Sequence, residues 1–366
     1  MPSFDIVKNI AVSDSYRDKA TYDRFDMNDG SLKQVFKGNI EYPDNWNIGL
    51  IVGASGTGKS TILHELYSDY IDNYEYDNKS VLDNMPKGIS ITTIYKTFNS
   101  VGFASTPSWL KPYGVLSNGE KMRVDLARAI LLNKDIIVFD EFTSVVDRQV
   151  AKIGSFATQK TIRRENKKFI AFTCHYDVEE WLMPDFLFST DEMKLKYNSR
   201  RYLQRPSIEI KIYSTNKRDY YWNMFKKYHY LATNIHPAAQ CFVLTCNDTI
   251  AGFLSYIHFP HSKCKNIKTG HRLVILPDWQ GIGLSHYLLH TVAEIACKKG
   301  YRFISTTSHP AVCNIYKKSE DWVLTHMGRV VNADKKSIMR KNMAFNRKST
   351  ISSNRLTTSW EYIGGR

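Results

Sequence analysis

The stretch Trp46–Ile71, WNIGLIVGASGTGKSTILHELYSDYI, decides the fold of the first half of the chain. Its opening run, WNIGLIV, is apolar and β-branched, as suits a strand buried on both faces. Gly53, Gly58, Lys59 and Ser60 then fit the phosphate-loop spacing GxxxxGK[ST] without a mismatch. The residues after Lys59 have helical spacing, with Ile62, Leu63, Leu66 and Tyr70 on one face. A strand, a glycine-rich loop and a helix N-terminus in that order aim backbone N–H groups at phosphate. Gly53, Ser55, Gly56, Gly58, Lys59, Ser60 and Thr61 are therefore expected at ATP. Lys59 would meet the β- and γ-phosphates, and the Ser60 hydroxyl would ligate Mg2+.

Downstream, Ile136-Ile137-Val138-Phe139 ends in Asp140-Glu141. A buried parallel strand ending in two acids delivers them to the carboxyl edge of its sheet, beside the phosphates. Asp140 is expected on Mg2+, directly or through water, and Glu141 is expected to polarise the attacking water. Between the two motifs, Leu116-Ser117-Asn118-Gly119-Glu120 precedes KMRVDLARAILLNKD. The spacing predicts a helix that buries Val124, Leu126, Ala127, Ile130 and Leu131 and exposes Arg123 and Arg128. Ser117 and Gly119 then stand at its N-terminus, a position suited to phosphate.

With these motifs the chain resembles ABC-type ATPases over about residues 30–200. LSNGE looks like their LSGGQ signature, and Ser144-Val145-Val146-Asp147 looks like their D-loop. His175, ending FIAFTCH, resembles their switch histidine. The resemblance implies that His175 contacts the γ-phosphate and that Ser117 and Gly119 cover ATP held by a second copy, hence an ATP-dependent homodimer. It also implies an aromatic stacked on adenine, for which Phe36, Tyr42 and Trp46 are candidates. No Gln lies between Thr61 and Gly114, so the family's Q-loop glutamine is missing or replaced, and the segment is short for the family's helical subdomain.

The second half differs in charge. The 366 residues suggest two or three domains at about 100–200 residues each. The formal net charge is +14; residues 206–366 hold 23 Lys and Arg against 9 Asp and Glu, and residues 1–205 hold 27 of each. This asymmetry points to two domains, 1–205 and 206–366, divided near the linker Ser199–Ser207, the second facing a polyanion or merely carrying a solvated basic surface. IEIKIYS alternates like a strand, DYYWNMFKKYHYLA reads as a helix, and CFVLTCNDTIAGFLSYIHF reads as a hairpin turning at Asn247-Asp248. The strand LVIL runs through PDWQGIGLS into an amphipathic helix carrying Tyr287, Leu288, Val292, Ile295 and Ala296. RLTTSWEYI reads as a closing strand. The stretch before it, Asn332–Ser353, carries Lys335, Lys336, Arg340, Lys341, Arg347 and Lys348, which suit phosphate-backbone contacts or a solvated loop.

PDWQGIGLS resembles motif A of the GNAT acyltransferases, Q/R-x-x-G-x-G/A, with Gln280, Gly283 and Ser285 at its three positions. The resemblance implies that the backbone of Gln280, Gly281, Ile282, Gly283, Leu284 and Ser285 cradles the pyrophosphate of acetyl-CoA or a related acyl-CoA. Tyr316 lies where the family often keeps a tyrosine that protonates the leaving thiolate. The Gly-Phe that normally follows is replaced, one residue late, by Asp321-Trp322, so a structural role for Tyr316 stays open. Tyr228-His229-Tyr230, PDWQGIGLS, Ser308-His309-Pro310 and the SWEY strand are together similar to the Mom-like branch of GNAT proteins. That branch is phage-encoded and modifies adenine in DNA. The similarity implies that Tyr228, His229 or Tyr230 borders the acceptor pocket.

The fold class expected is α/β, a P-loop ABC-type nucleotide-binding domain followed by an α/β GNAT-like acyltransferase domain. The function expected is ATP hydrolysis coupled to acyl transfer onto a nucleic-acid base, with DNA as partner. One alternative is an N-acetyltransferase of a protein or small amine; another is a degenerate GNAT domain serving the ATPase as a DNA-binding platform. No stretch approaches the ~18 apolar residues of a membrane span, and the N-terminus lacks an apolar signal core. The six cysteines form no CxxC pair and no zinc spacing. A reduced cytoplasmic setting is expected, that of the host if the protein is a phage's, with no membrane partner.

Overall fold

In the computed structural model, which describes residues 3–9, 15–26, 33–198, 207–230, 234–329 and 356–364, each apolar run named above forms a strand. The basic stretch Asn332–Ser353 and all of the expected linker but Ser207 lie outside the described residues. Chain order first gives β1 (Ser3–Asn9), α1 (Tyr16–Phe25), β2 (Lys33–Asn39), β3 (Ile48–Val52), α2 (Lys59–Tyr67), α3 (Ile91–Ser100), α4 (Thr106–Trp109) and α5 (Asn118–Leu132). Next come β4 (Ile136–Phe139), α6 (Arg148–Arg164), β5 (Lys168–Thr173), α7 (Val178–Leu182), β6 (Phe186–Ser189) and β7 (Lys194–Tyr197). The remainder is β8 (Ile210–Thr215), α8 (Arg218–Phe225), β9 (Gln240–Cys246), β10 (Thr249–His258), β11 (Ile267–Ile275), α9 (Leu284–Lys298), β12 (Arg302–Thr307), α10 (Pro310–Lys318), β13 (Trp322–Arg329) and β14 (Leu356–Tyr362). No helix among the described residues is long and apolar enough to cross a membrane.

Packing divides the chain into two compact units that do not follow chain order. One comprises Met1–Asn73, Asn133–Val145 and Gln159–Leu203; the other comprises Tyr74–Leu132, Val146–Thr158 and Gln204–Arg366. The segment headed by LSNGE thus belongs by packing with the C-terminal part of the chain.

The first unit is built on a sheet of order β4-β5-β3-β6-β7, parallel except for the edge strand β7. All five residues of β3 are buried, as a central parallel strand requires. Its start is pinned by Asp185, whose Oδ2 accepts the N–H groups of Asn47 (2.7 Å) and Ile48 (2.9 Å). Arg163 donates to the same carboxylate at 3.0 Å, a buried charge-assisted pair. On α2, Ile62 and Leu63 are buried as expected, and Tyr67 is buried more deeply than Tyr70.

The second unit holds a seven-stranded sheet of order β13-β14-β12-β11-β10-β9-β8. The hairpin β9–β10 turns at Asn247 and Asp248, both at positive φ (47° and 61°), the conformation a two-residue hairpin turn favours. Strand β14, expected to close the sheet, is instead inserted between β12 and β13. Its inward residues Trp360 and Tyr362 join Tyr316 and Trp322 in the core, and that burial needs neighbours on both sides. Helix α9 buries Leu288, Val292 and Ala296, whereas Tyr287, expected with them, is 48% exposed. The largest correction concerns α5. Arg123 and Arg128, expected in solvent, are 1% and 7% exposed. Arg128 lies 3.4 Å from the Tyr74 ring centroid and donates to the Asn84 carbonyl at 2.6 Å. Residues 74–84 thus cover Arg128, and Gly102 borders Arg123, cover that periodicity alone does not reveal.

Candidate functional site

Parallel strands share one carboxyl edge, and each of four contributes to it. The loop Gly53–Gly58 follows β3, Asp140 and Glu141 follow β4, His175 lies two residues beyond β5, and Thr190-Asp191 follow β6. The sheet thus gathers at one edge the phosphate loop, both acids and the histidine expected from sequence. Lys59 Nζ donates to the carbonyls of Gly53 (2.7 Å) and Ala54 (2.6 Å), bonds that phosphate oxygens would replace. Ser55, Gly56 and Ser60 are exposed, and Thr61 is half-buried. The back of the loop is filled: a side chain at Gly53 would strike Thr190 Oγ1, and one at Gly58 would strike the Phe36 ring. Glu141 and Thr143 adopt positive φ (47° and 66°), backbone strain of the kind stored at reacting sites.

Periodicity missed the residues that fix the loop from across the sheet. Asp191 accepts the Ala54 N–H at 3.0 Å and the Tyr176 hydroxyl at 2.7 Å. The Tyr176 bond, followed by that from Ala54, holds its carboxyl below the ordinary carboxylate range. The legible signal was FLFSTD, an apolar run ending in an acid like IIVFDE. Of the adenine candidates, Phe36 and Trp46 are buried in the core, and Tyr42 is hydrogen-bonded to Tyr67 at 2.7 Å.

A hydroxyl and a carboxylate, Ser60 and Asp140, are hard oxygen donors suited to Mg2+ completed by phosphate and water. No group of three or more His, Cys, Asp or Glu that could hold a metal occurs among the described residues.

Ser117 and Glu120 form a reciprocal cap at the start of α5. The Ser117 N–H donates to Glu120 Oε2 (3.1 Å), and the Glu120 N–H donates to Ser117 Oγ (3.3 Å). Ser108 donates to the other carboxylate oxygen at 2.7 Å. Ser117 remains exposed, whereas Gly119 is buried, with Val150 Cγ1 in the space a side chain would need.

In the second unit, β11 leads through a short turn, Pro277–Trp279, into Gln280–Gly283 and then α9. Gly283 caps α9 and is exposed, with open space beside it, so the helix N-terminus can receive an anion there. Ser285 and Ile282 are half-buried, and Leu284 is a core residue. Gln280 and Gly281 face inward: Gln280 Oε1 accepts the Ala104 N–H at 2.7 Å, and Gln280 Nε2 donates to the Ile275 carbonyl at 2.8 Å. The outer half of the loop therefore fits a pyrophosphate, while its inner half is held by its own unit.

Tyr316 is a core residue. It is fully buried, with ring centroids 4.4 Å from Trp322 and 5.5 Å from Trp360. Burial pushes its phenol up, against a smaller opposing effect of Ser305. An acid for a leaving thiolate must touch it, and in this placement Tyr316 packs as the structural alternative expected. Of the three residues expected at an acceptor pocket, His229 is buried, stacked 4.7 Å from Tyr230 and edge-on to Trp222, and Tyr228 is half-buried. His271, in the same unit, has its pKa lowered to about 3 by burial and then by Arg272, His236 and His229.

Residues 200–319 match a family model described as the acetyltransferase (GNAT) family. Over 91 residues the chain is 35% identical to the energy-coupling factor transporter ATP-binding protein EcfA of Aster yellows witches'-broom phytoplasma, covering 25% of this chain and 30% of that protein. Over 150 residues it is 27% identical to a probable metal transport system ATP-binding protein of Thermotoga maritima, covering 34% of this chain and 62% of that protein. The chain therefore spans less than two thirds of either relative. Among solved structures, a Bacillus subtilis acetyltransferase in complex with CoA is similar over 42% of this chain and 99% of its own, at 11% identity and a TM-score of 0.32.

Proposed function

An ABC-type ATPase region and a GNAT acetyltransferase domain, both of enzyme families, share this one chain, and from that premise we propose that ATP turnover drives acyl transfer from a CoA thioester to an amine of a nucleic-acid base. One observation carries the coupling: α5, headed by the signature, folds into the same compact unit as the acyl loop Gln280–Ser285. At the first site Lys59 neutralises phosphate charge, Ser60 and Asp140 hold Mg2+, Glu141 orients the attacking water, and His175 meets the γ-phosphate. Ser117 reaches ATP of a second copy, so the working unit is an ATP-dependent homodimer. At the second site the N–H groups around Gly283 hold pyrophosphate. The acceptor nitrogen attacks the thioester carbonyl, a C–N bond forms as the C–S bond breaks, CoA leaves as thiolate, and the proton lost by the nitrogen passes to water.

The nucleic-acid acceptor is supported by the charge split, +14 in residues 206–366 against zero before them. A base in a duplex must be extruded at a cost of a few kcal/mol, a task to which an ATP-driven clamp is suited. The test incubates the protein with acetyl-CoA, Mg-ATP and plasmid DNA, omits each in turn, and examines the digested nucleosides by mass spectrometry. A new nucleoside that requires both acetyl-CoA and ATP is expected. An unmodified digest sinks acetyl transfer to DNA.

A second reading, an ATPase whose GNAT domain is only a DNA-binding platform, is favoured by the burial of Tyr316. DNA binding without any CoA binding would select it.

A further inference from the structure

Strands β11 and β12 are the one parallel pair in the seven-stranded sheet, and they pair only over Ile267–Thr269 and Arg302–Ile304. Beyond that point β11 runs on to Ile275 and β12 to Thr307 without pairing, so their carboxyl ends part. A crevice between the carboxyl ends of parallel strands is where α/β sheets take ligands. The acyl loop stands at one lip, after β11, and His309 stands at the other, after β12.

A peptide of the same chain spans these lips. The Ala104 N–H donates to Gln280 Oε1 at 2.7 Å, and the Ala104 carbonyl accepts from His309 Nε2 at 3.2 Å. Beside it, Gly102 and Gly281 meet backbone to backbone. A Cβ on Gly102 would lie 2.8 Å from the Gln280 carbonyl oxygen, and one on Gly281 would lie 3.1 Å from Gly102 Cα. Both glycines have positive φ (84° and 95°), so the contact needs glycine twice over. Ser105, on the far side, donates to the Tyr228 carbonyl at 3.4 Å. All of these residues lie in one compact unit.

We infer that Gly102–Ser105 is an autoinhibitory plug in the acyl-CoA crevice, withdrawn when the signature helix engages ATP. The segment follows α3, which packs on α5, and Gly102 borders the Arg123 guanidinium, 3.4 Å from the position of its Cβ. Nε and both Nη atoms of Arg123 are buried without a hydrogen-bond partner among the described residues. Three carboxylates, Asp278, Glu120 and Asp147, are close enough to act on its charge. A buried cation without hydrogen bonds is costly. A small shift of α5 that pairs it with Asp278 or Asp147 relieves that cost, and it gives the plug a second resting state. Glu120 belongs to the signature and Asp147 to the D-loop, the segments that meet ATP of the second copy in the proposed dimer.

The inference rests on the acyl-CoA reading of Gln280–Ser285, and its test separates the two. CoA binding to the full chain is titrated with and without Mg-ATP, using Glu141→Gln to hold ATP unhydrolysed. Ala104→Pro, which deletes the N–H donated to Gln280, is titrated without ATP. Amide exchange of Phe103–Trp109 in the wild-type chain is followed in parallel, so the result does not hang on a variant's folding. ATP is expected to tighten CoA binding at least tenfold, Ala104→Pro to match that tightening without ATP, and the Ala104 amide to lose protection when ATP binds. Equal CoA affinity in all forms with unchanged protection at Ala104 overturns the plug and leaves the acyl-CoA reading standing. No CoA binding by any form overturns both.

Discussion

Gly58 and Gly283 cap α2 and α9 in nearly the same conformation, φ 93° and ψ 9° against φ 96° and ψ 8°, yet the loops they end are treated differently by the fold. The first loop is braced from behind by Phe36, Thr190 and Asp191, and its residues Ser55, Gly56 and Ser60 face solvent. The second is held at its inner half, with Gln280 and Gly281 covered by Gly102 and Ala104. Charge explains the difference. GASGTGKS carries a lysine that is costly to bury, whereas QGIGLS carries no charge, and its polar groups can be satisfied by a neighbouring peptide. A neutral anion loop can be shut by its own chain; a charged one is better left open.

The largest expected effect lies at that charge. Lys59→Ala should lower ATP hydrolysis by about 10²–10³-fold, the scale of losing one preorganised electrostatic contact to the transition state. Because the plug is released through ATP, the same variant should also lose the stimulation of CoA binding by ATP while keeping its basal CoA affinity. Steady-state phosphate release and a CoA titration check both. Stimulation of CoA binding that survives in Lys59→Ala would show that the two loops work independently.

A medium effect concerns the covered loop. Burial holds His309 below the ordinary histidine range, against the raising effect of its bond to Ala104, and burial first among its causes holds His271 at about 3. His309 Nδ1 accepts the Ala311 N–H at 3.3 Å while Nε2 faces the Ala104 carbonyl, an arrangement that only the neutral ring satisfies. Both rings gain a proton more readily in the unfolded chain, so stability is fully present above pH 6.5 and falls as pH drops below it. The slope is at most about 1.4 kcal/mol per pH unit for each ring. Urea midpoints between pH 7.5 and 5 should fall, and His309→Gln, which keeps a donor for Ala104, should flatten the curve. A flat wild-type profile would mean that neither ring is held neutral.

The contrast between the loops also marks what the sequence could tell. Each loop was legible because its strand, glycines and helix are contiguous, and so were the acids of IIVFDE. What closes, braces or completes the loops could not be paired with them from local pattern, because it comes from far along the chain. Asp191 reaches Ala54 across 137 residues, and Ala104 reaches Gln280 across 176. Arg123 and Arg128 misled periodicity because each is covered by a different segment, Arg128 by Tyr74 and Asn84 and Arg123 beside Gly102. The interior place of β14 was hidden for a related reason: alternation fixes which residues face inward, not which strands lie alongside.

The smallest expected effect tests whether the covered domain keeps an acid of its own. Tyr316 lies wholly within the core, its ring against Trp322 and Trp360. Tyr316→Phe preserves that packing and removes only a hydroxyl whose pKa is raised by burial. Acyl transfer should stay within about twofold of wild type, and stability within about 1 kcal/mol, the ordinary net worth of one hydrogen bond. A hundredfold loss of transfer at unchanged melting temperature would break the comparison at its root. The hydroxyl would then have to reach the leaving thiolate during turnover, and opening of the crevice would have to extend past the plug into the core beneath it.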